Sequence, residues 1–157
     1  MKYHNITKDD MLNGDGLRVV LWLSGCSHHC KGCQNPITWN ADDGLEFDDN
    51  AKREIYDQLD KEYISGLTIS GGDALYIQNR DEVYQLCREV KERYPNKTIW
   101  LYTGYLWEEV KELGVMKFVD VVCDGKFVEE LKDNTIPWVG SSNQRVIRVK
   151  EQNKCIE

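Results

Sequence analysis

The chain has 157 residues, and its 27 acidic side chains outnumber its 20 lysines and arginines, which gives a formal net charge of −7. A general nucleic-acid-binding protein is normally basic, so this balance argues against a nucleic-acid partner. The first residues lack the apolar run of a signal peptide, and the sequence has no apolar stretch of membrane-spanning length. We therefore expect a cytoplasmic protein without a membrane partner, folded as one domain over residues 1–157.

Strand and helix patterns alternate along the chain. The segments that favour strands are 17–24, 66–70, 97–103, 118–123 and 144–149. The first of them, LRVVLWLS, is apolar enough to be buried on both faces, as in a parallel sheet. Strands that alternate with helices predict a parallel α/β sheet with right-handed crossovers.

Between these strands, apolar residues recur at helical spacing. The first predicted helix begins near Asp48 and Asp49 and carries Ala51, Ile55, Leu59 and Tyr63 on one face. The second presents Val83, Leu86, Cys87 and Val90 together, and a short third helix carries Leu106, Val110 and Leu113. The chain is too short for a closed eight-unit barrel, which typically needs ~250 residues. The fold that we expect is an incomplete, open (βα) barrel of about five parallel strands.

Each of the first four predicted strands ends in a glycine beside a polar or metal-liganding side chain. These junctions are Gly25-Cys26, Gly71-Gly72-Asp73, Thr103-Gly104-Tyr105 and Asp124-Gly125-Lys126. Glycine permits a close backbone approach, and in parallel α/β folds the strand exits share the edge at which ligands bind. We expect Gly72 in particular to need a positive φ. Together the junctions predict a binding site at that edge.

The stretch SGCSHHCKGCQN places Cys26, Cys30 and Cys33 within eight positions. Thiols stay reduced in the cytoplasm, so clustered cysteines favour a metal site or redox catalysis over disulfides. Three interpretations fit the spacing: a Cys₃His zinc site completed by His28 or His29, a redox-active C-x-x-C pair, or a [4Fe–4S] cluster with three cysteine ligands and one open iron. The spacing alone leaves zinc and cluster open, and the position of the loop at the ligand-binding edge favours the cluster.

Other candidates are less specific. Asp124 and Lys126 suit a cofactor contact, partner docking or a local ion pair. The polar segment 133–145 suits a partner-docking loop or a simple crossover. Of the scattered cysteines, Cys87 and Cys123 are expected in the core and Cys155 in a polar tail.

The three-cysteine loop after the first strand and the Gly-Gly-acid turn after the second resemble the radical S-adenosylmethionine superfamily. Within it, the chain resembles the anaerobic ribonucleoside-triphosphate reductase activating proteins along nearly its whole length. The segments that carry this resemblance are NGDG (13–16), SGCSHHCKGCQN (24–35), TW (38–39), SGGDALY (70–76), IWLYTGY (99–105), VDVVCDGKF (119–127) and WVGSSNQR (138–145). The family usually has proline where this chain has Asp15 and Ala74, which changes turn rigidity without removing a group expected to act in the chemistry.

The resemblance implies that Cys26, Cys30 and Cys33 ligate a [4Fe–4S] cluster whose remaining iron is chelated by S-adenosylmethionine. The further cofactor contacts that it implies are the backbone at Gly32, Cys33 and Gln34, the Gly71-Gly72-Asp73 turn, Thr103 and Tyr105. A turn cap is the alternative role for Asp73. Reductive cleavage of S-adenosylmethionine then yields a 5′-deoxyadenosyl radical, which takes a hydrogen atom from a glycine of the reductase.

The family thus implies an enzyme, a radical S-adenosylmethionine oxidoreductase that acts as a glycyl-radical-generating activase. The partners that it implies are the large subunit of the anaerobic reductase, as protein substrate, and a reduced flavodoxin-like electron donor. Two alternatives stay open. One is a radical enzyme that acts on another glycyl radical enzyme or on a small molecule, and the other is a zinc-stabilised binding module.

Overall fold

The computed structural model describes residues 1–33 and 36–154. The strands are β1 (Lys2–Asp10), β2 (Leu17–Leu23), β3 (Leu45–Glu46), β4 (Ile64–Gly71), β5 (Thr98–Tyr102), β6 (Val121–Asp124) and β7 (Arg145–Arg148). The α-helices are α1 (Asp49–Leu59), α2 (Arg80–Arg93), α3 (Trp107–Val110) and α4 (Val149–Lys154). Short 3₁₀ turns lie at Pro36–Thr38, Ile77–Asn79, Gly114–Lys117 and Glu129–Leu131.

The seven strands found among the described residues form one sheet in the order β3-β1-β2-β4-β5-β6-β7. Strands β2, β4, β5 and β6 are parallel, whereas β1, β3 and β7 pair antiparallel with their neighbours. The prediction of a mainly parallel α/β sheet is therefore confirmed.

The expected number of parallel strands, about five, is wrong, because the strand predicted at 144–149 is β7, which runs antiparallel to β6. A parallel return needs a crossover that carries the chain back to the strand starts, usually a helix. The segment between β6 and β7 contains only the turn Glu129–Leu131, and it brings the chain back from the edge at which β6 ends. The strand β1, whose sequence KYHNITKDD is mostly polar, was not predicted at all.

The first two helices follow their sequence patterns. Asp48 is the N-cap of α1, where its side chain accepts a hydrogen bond from the backbone N–H of Ala51. This helix ends at Leu59, four residues earlier than expected, so Tyr63 lies outside it and is 56% exposed. The four apolar positions predicted for α2 are all buried. No helix in the described part of the chain is long and apolar enough to cross a membrane.

The two faces of the sheet are covered differently. One face packs against apolar side chains of α1 and α2, and its strand residues are Val19, Leu21, Leu23, Leu67, Ile69, Ile99, Leu101 and Val122. The alternating positions carry Arg18, Thr68, Trp100, Val121 and Cys123 on the other face. There Trp138 packs edge-on against Trp100, with ring centroids 5.7 Å apart. The helices thus leave one face of the sheet to loops.

Candidate functional site

The exits of the parallel strands lie side by side, as the sequence predicts. Backbone hydrogen bonds continue beyond the strand ends and connect them: Gly72 N to Leu23 O (2.9 Å), Asp73 N to Gly25 O (2.8 Å), Ala74 N to Tyr102 O (3.4 Å), Thr103 N to Cys123 O (3.0 Å) and Gly125 N to Tyr105 O (3.1 Å). The predicted junctions therefore form one continuous edge, and the cysteine loop starts from it.

The cysteine loop is anchored at its start and turned at its end. Cys26 is 9% exposed, and its backbone N–H donates to Trp39 O (3.1 Å). Cys33 N donates to Cys30 O (3.1 Å), and Gly32 between them has φ +76°, the left-handed value that the third position of a type II turn requires. This turn keeps Cys30 and Cys33 close together, and its geometry by itself explains the glycine at position 32.

Two opposing effects act on the Cys26 sulfur. Burial raises the pKa of the thiol, while the backbone N–H groups of His28 and His29 donate hydrogen bonds to the sulfur and oppose that rise. Hydrogen-bond donors directed at a cysteine sulfur stabilise its thiolate form, which is the form that binds metal.

The donor set at this edge fits an iron–sulfur cluster. Clusters are held by thiolates, and hydrogen bonds to the sulfurs tune them. Here one loop that starts at the strand exits carries three cysteines, and the backbone N–H groups of His28 and His29 favour the thiolate form of Cys26. Within residues 1–33 and 36–154, no three histidine, cysteine or acidic side chains form a group placed to hold a single metal ion.

Neither histidine of the loop is placed as the fourth zinc ligand that the spacing left open. His28 Nε2 lies 2.6 Å from Asp73 Oδ2, in a hydrogen bond between side chains that are 6% and 1% exposed. The ring of His29 stacks on Trp39 with centroids 4.6 Å apart and an interplanar angle of 8°. Both rings hold the loop against its surroundings.

The Asp73 side chain takes part in three hydrogen bonds at this edge. Its Oδ1 accepts from the N–H of Leu75 (2.8 Å), and its Oδ2 accepts from the N–H of Gly104 (2.9 Å) and from His28. The bond to Leu75 is the turn-cap role that the sequence left open for Asp73, and the other two join three segments of the chain. Its predicted contact with a cofactor stays a prediction.

Gly71, the last residue of β4, and Gly72, which follows it, are glycines for different reasons. Gly71 has φ +102°, whereas Gly72 lies outside the positive-φ region, so the expectation that Gly72 needs a positive φ is wrong. At Gly72 the constraint is space, since a Cβ there would lie 2.4 Å from Gly25 O and 2.7 Å from Thr38 O. Gly72 thus lets the exit of β4 press against the start and end of the cysteine loop.

Thr103 and Tyr105 lie on the same edge. Thr103 is buried, and its Oγ1 accepts from the N–H of Tyr105 (3.1 Å). The ring of Tyr105 meets His28 edge-on at 4.7 Å, and the guanidinium of Arg80 lies over it at 5.4 Å. Tyr105 contacts the cysteine loop through His28, and Thr103 accepts a hydrogen bond from Tyr105. Their predicted contacts with a cofactor stay predictions.

Asp124 forms a local ion pair, one of the roles proposed for it. Its carboxylate accepts from Arg145 and from the backbone N–H of Trp107 (2.8 Å), and Arg145 also makes two bonds to Glu108. Glu108 is exposed, and the Arg145 guanidinium lowers its pKa to about 2. Lys126 is exposed, and its backbone carbonyl accepts from the side chain of Asn143.

The remaining candidates are structural or lie outside the description. Cys87 and Cys123 are buried as expected, and burial raises the pKa of each thiol to about 12. In segment 133–145, Trp138 has φ +72°, and its carbonyl accepts from the hydroxyl of Tyr102 (2.6 Å). Gln34 and Cys155 lie outside the described residues.

Sequence reasoning considered His28 as a loop residue near the cluster or as a zinc ligand, and it missed the hydrogen bond from His28 to Asp73. Its partner Asp73 is 45 residues away along the chain, so no local pattern links the two. The signal that was available is the glycine at 104, since a Cβ at that position would lie 2.4 Å from Cδ2 of the His28 ring.

Comparisons with known proteins are consistent with an iron–sulfur site at this edge. A family model described as "4Fe-4S single cluster domain" matches residues 12–147. The chain is 49% identical over 146 residues to the "Anaerobic ribonucleoside-triphosphate reductase-activating protein" of Enterobacteria phage T4, a match that covers 93% of each chain. It is 38% identical to the protein of the same name from Haemophilus influenzae, with 96% of this chain and 99% of the relative covered. The namesake from Escherichia coli K12 is 39% identical, with 93% and 97% covered.

Proposed function

Since this chain belongs to the family of anaerobic ribonucleoside-triphosphate reductase-activating proteins, we propose that it generates a glycyl radical on the large subunit of such a reductase. The observation that carries the proposal is the position of the three-cysteine loop. It leaves the first parallel strand, and hydrogen bonds at Gly25 and His28 join it to Asp73, whose carboxylate also accepts from the backbone N–H of Gly104.

In this proposal Cys26, Cys30 and Cys33 hold the [4Fe–4S] cluster. The residues that would hold S-adenosylmethionine are Gly32, Cys33, Gln34, Gly71, Gly72, Asp73, Thr103 and Tyr105. When bound, the two groups together supply one-electron reduction and abstraction of a hydrogen atom from a glycine Cα. The electron would come from a reduced flavodoxin-like donor in the cytoplasm.

The residues of this chain keep the strand exits and the cysteine loop in fixed positions. The backbone bonds between strand exits fix the cysteine loop, and the packing of Gly72 on Gly25 and Thr38 leaves no room for the loop to shift toward β4. Fixed positions matter, because a displacement of about 1 Å at a reacting centre can lower a rate ~100-fold.

A protein substrate suits the open sheet. The parallel strands are bordered by antiparallel β1 and β7, so we infer a single-domain, incomplete barrel of the radical S-adenosylmethionine type. Such a sheet does not enclose a small molecule as a closed barrel does, and a partner surface would exclude water from the exits. This favours a macromolecular substrate over a small metabolite.

The test uses anaerobically reconstituted protein, its cognate reductase, S-adenosylmethionine and a strong reductant. We expect a glycyl radical on the reductase by electron paramagnetic resonance, and its loss when the target glycine is changed to alanine. Cleavage of S-adenosylmethionine by the isolated protein should be slow.

Two results would contradict the proposal. Stoichiometric zinc in a colourless, folded protein would support the binding-module alternative. Efficient turnover of a small metabolite, with no radical on a verified cognate reductase, would support the small-molecule alternative.

A further inference from the structure

The cysteine loop is held in place by an imidazole that is not one of its proposed metal ligands. The His28 side chain is 6% exposed, and its Nε2 lies 2.6 Å from Asp73 Oδ2. The edge of the same ring packs against Tyr105, with centroids 4.7 Å apart and an interplanar angle of 76°. His28 therefore contacts residues that follow both β4 and β5.

The partner of His28 is itself fixed. Asp73 accepts from the backbone N–H of Leu75 (2.8 Å) and of Gly104 (2.9 Å), and its own N–H donates to Gly25 O (2.8 Å). Because the carboxylate accepts from two backbone N–H groups outside the loop, it cannot follow the loop if the loop moves. The bond to His28 therefore transmits the position of the strand exits to the loop.

The space for the ring is also built into the fold. A Cβ at Gly104 would lie 2.4 Å from His28 Cδ2 and 2.7 Å from Nε2. Gly104 is the residue whose N–H shares Asp73 Oδ2 with His28. Ring, carboxylate and glycine therefore form one packed unit.

This unit acts on Cys26 through the backbone. The N–H groups of His28 and His29 donate to the Cys26 sulfur, and His29 has φ +46°, a left-handed conformation that costs a non-glycine residue energy. Such a conformation persists only where neighbouring contacts hold it, here the bond from His28 to Asp73 and the stacking of His29 on Trp39. Releasing His28 frees the loop to relax, and the two N–H groups then leave the sulfur.

We propose that His28 is a positioning residue for the iron–sulfur cluster, which through its contacts with Asp73, Tyr105 and Gly104 fixes the backbone between Cys26 and Cys30. The inference rests on the proposed function only in requiring that the cysteines carry a cluster. Hydrogen bonds to cluster sulfurs stabilise the reduced, more negative state and so raise the reduction potential. Removing the imidazole should therefore make the potential more negative.

The test compares three variants after anaerobic reconstitution, by redox titration followed with electron paramagnetic resonance. In His28→Ala we expect a potential shifted to more negative values and an altered signal of the reduced cluster. In His28→Gln the amide nitrogen reaches the place of Nε2, so the potential should return towards that of the unaltered protein. Gly104→Ala leaves His28 intact but displaces its ring, and it should shift the potential in the same direction as His28→Ala.

Gln58→Ala is the matched control. It removes a partly buried hydrogen bond to a carboxylate, from Gln58 Nε2 to Asp9 Oδ1 (2.8 Å), between α1 and β1 and away from the cysteine loop. It should lower stability and leave the potential and the signal unchanged. If His28→Ala does not fold, Gly104→Ala carries the test with the histidine present.

The inference is overturned if both His28→Ala and Gly104→Ala keep the potential and signal of the unaltered protein. It is also overturned if His28→Gln behaves like His28→Ala, because the hydrogen bond to Asp73 would then not be what His28 contributes. These failures differ from failure of the proposed function, in which the unaltered protein would carry no cluster or would leave its reductase without a glycyl radical.

Discussion

The parallel strands are held at both ends by a buried charged side chain, Arg18 at their starts and Asp73 at their exits. Arg18 is fully buried and donates to two hydroxyls, of Thr68 and Thr98, and to three backbone carbonyls, of Asp15, Leu67 and Thr98. Asp73, 2% exposed, accepts from two backbone N–H groups and from the imidazole of His28.

The difference between the two ends lies in what the charge binds. All acceptors of Arg18 belong to the strands or to the residues that lead into them, and burial lowers its pKa to about 10. Asp73 instead binds a side chain of the cysteine loop, a segment without regular secondary structure around Cys26. The starts of the strands therefore use a buried charge for stability, whereas the exits use one to position a functional loop.

The largest effect that we expect is at the exit end. Replacing Cys26, Cys30 or Cys33 by alanine should each abolish reductive cleavage of S-adenosylmethionine, because every thiolate is proposed as a cluster ligand. Iron and sulfide content of anaerobically prepared protein, together with a cleavage assay, checks this. The unaltered protein should be brown, with about four irons per chain. A variant of one of these cysteines that keeps both its iron and its cleavage activity would remove that residue from the ligand set.

At the start end, Arg18→Met should lower the free energy of unfolding by about 3 kcal/mol, since buried carbonyls and hydroxyls lose their donor. Methionine fills much of the same volume, so the loss reports mainly on polar contacts. Urea unfolding measures the change. Iron content and reduction potential of the folded variant should not change. If the iron content or the reduction potential does change, the starts and the exits of the strands are not separate in function.

The sequence predicts the parallel core well, because β2, β4 and β5 are apolar runs and α2 has a clear apolar face. It did not reveal β1, whose alternating polar residues face partly outward, or the direction of β7, which depends on how the preceding loop returns. The strand exits were predictable from glycine and polar junctions. The bond between His28 and Asp73 was not, since it depends on the packing of residues distant in sequence.

A smaller effect is expected from Gly72→Val, which tests how closely the exit of β4 approaches the cysteine loop. The side chain would collide with the carbonyls of Gly25 and Thr38 and push the turn away from the proposed cofactor site. We expect affinity for S-adenosylmethionine to fall about tenfold, or about 1.4 kcal/mol, with iron content retained. An equilibrium titration of the reconstituted protein measures this.

Gly114→Ala is a suitable control for that change. Gly114 also lies outside the positive-φ region, and a Cβ there would meet only the ring of Tyr84, at 3.1 Å. The affinity of Gly114→Ala for S-adenosylmethionine should match that of the unaltered protein. Unchanged affinity in Gly72→Val as well would mean that this turn does not line the cofactor site.

The smallest effect is expected at Cys87, which lies on the buried face of α2 and belongs to neither end of the strands. Cys87→Ala should leave iron content intact and cost about 1 kcal/mol at neutral pH, because it leaves a small cavity. Burial raises the pKa of this thiol from its ordinary value of 9.0 to about 12. Below pH 9 the thiol is protonated in both the folded and the unfolded chain, and its contribution to the free energy of unfolding is fully present. This contribution is lost as the pH rises from 9 towards 12, because the unfolded chain releases the proton first. The stability difference between the unaltered protein and Cys87→Ala should therefore narrow over that range in denaturant titrations. A constant difference would show that the thiol is not buried in an apolar site, and loss of iron from the folded variant would extend the ligand set beyond the loop.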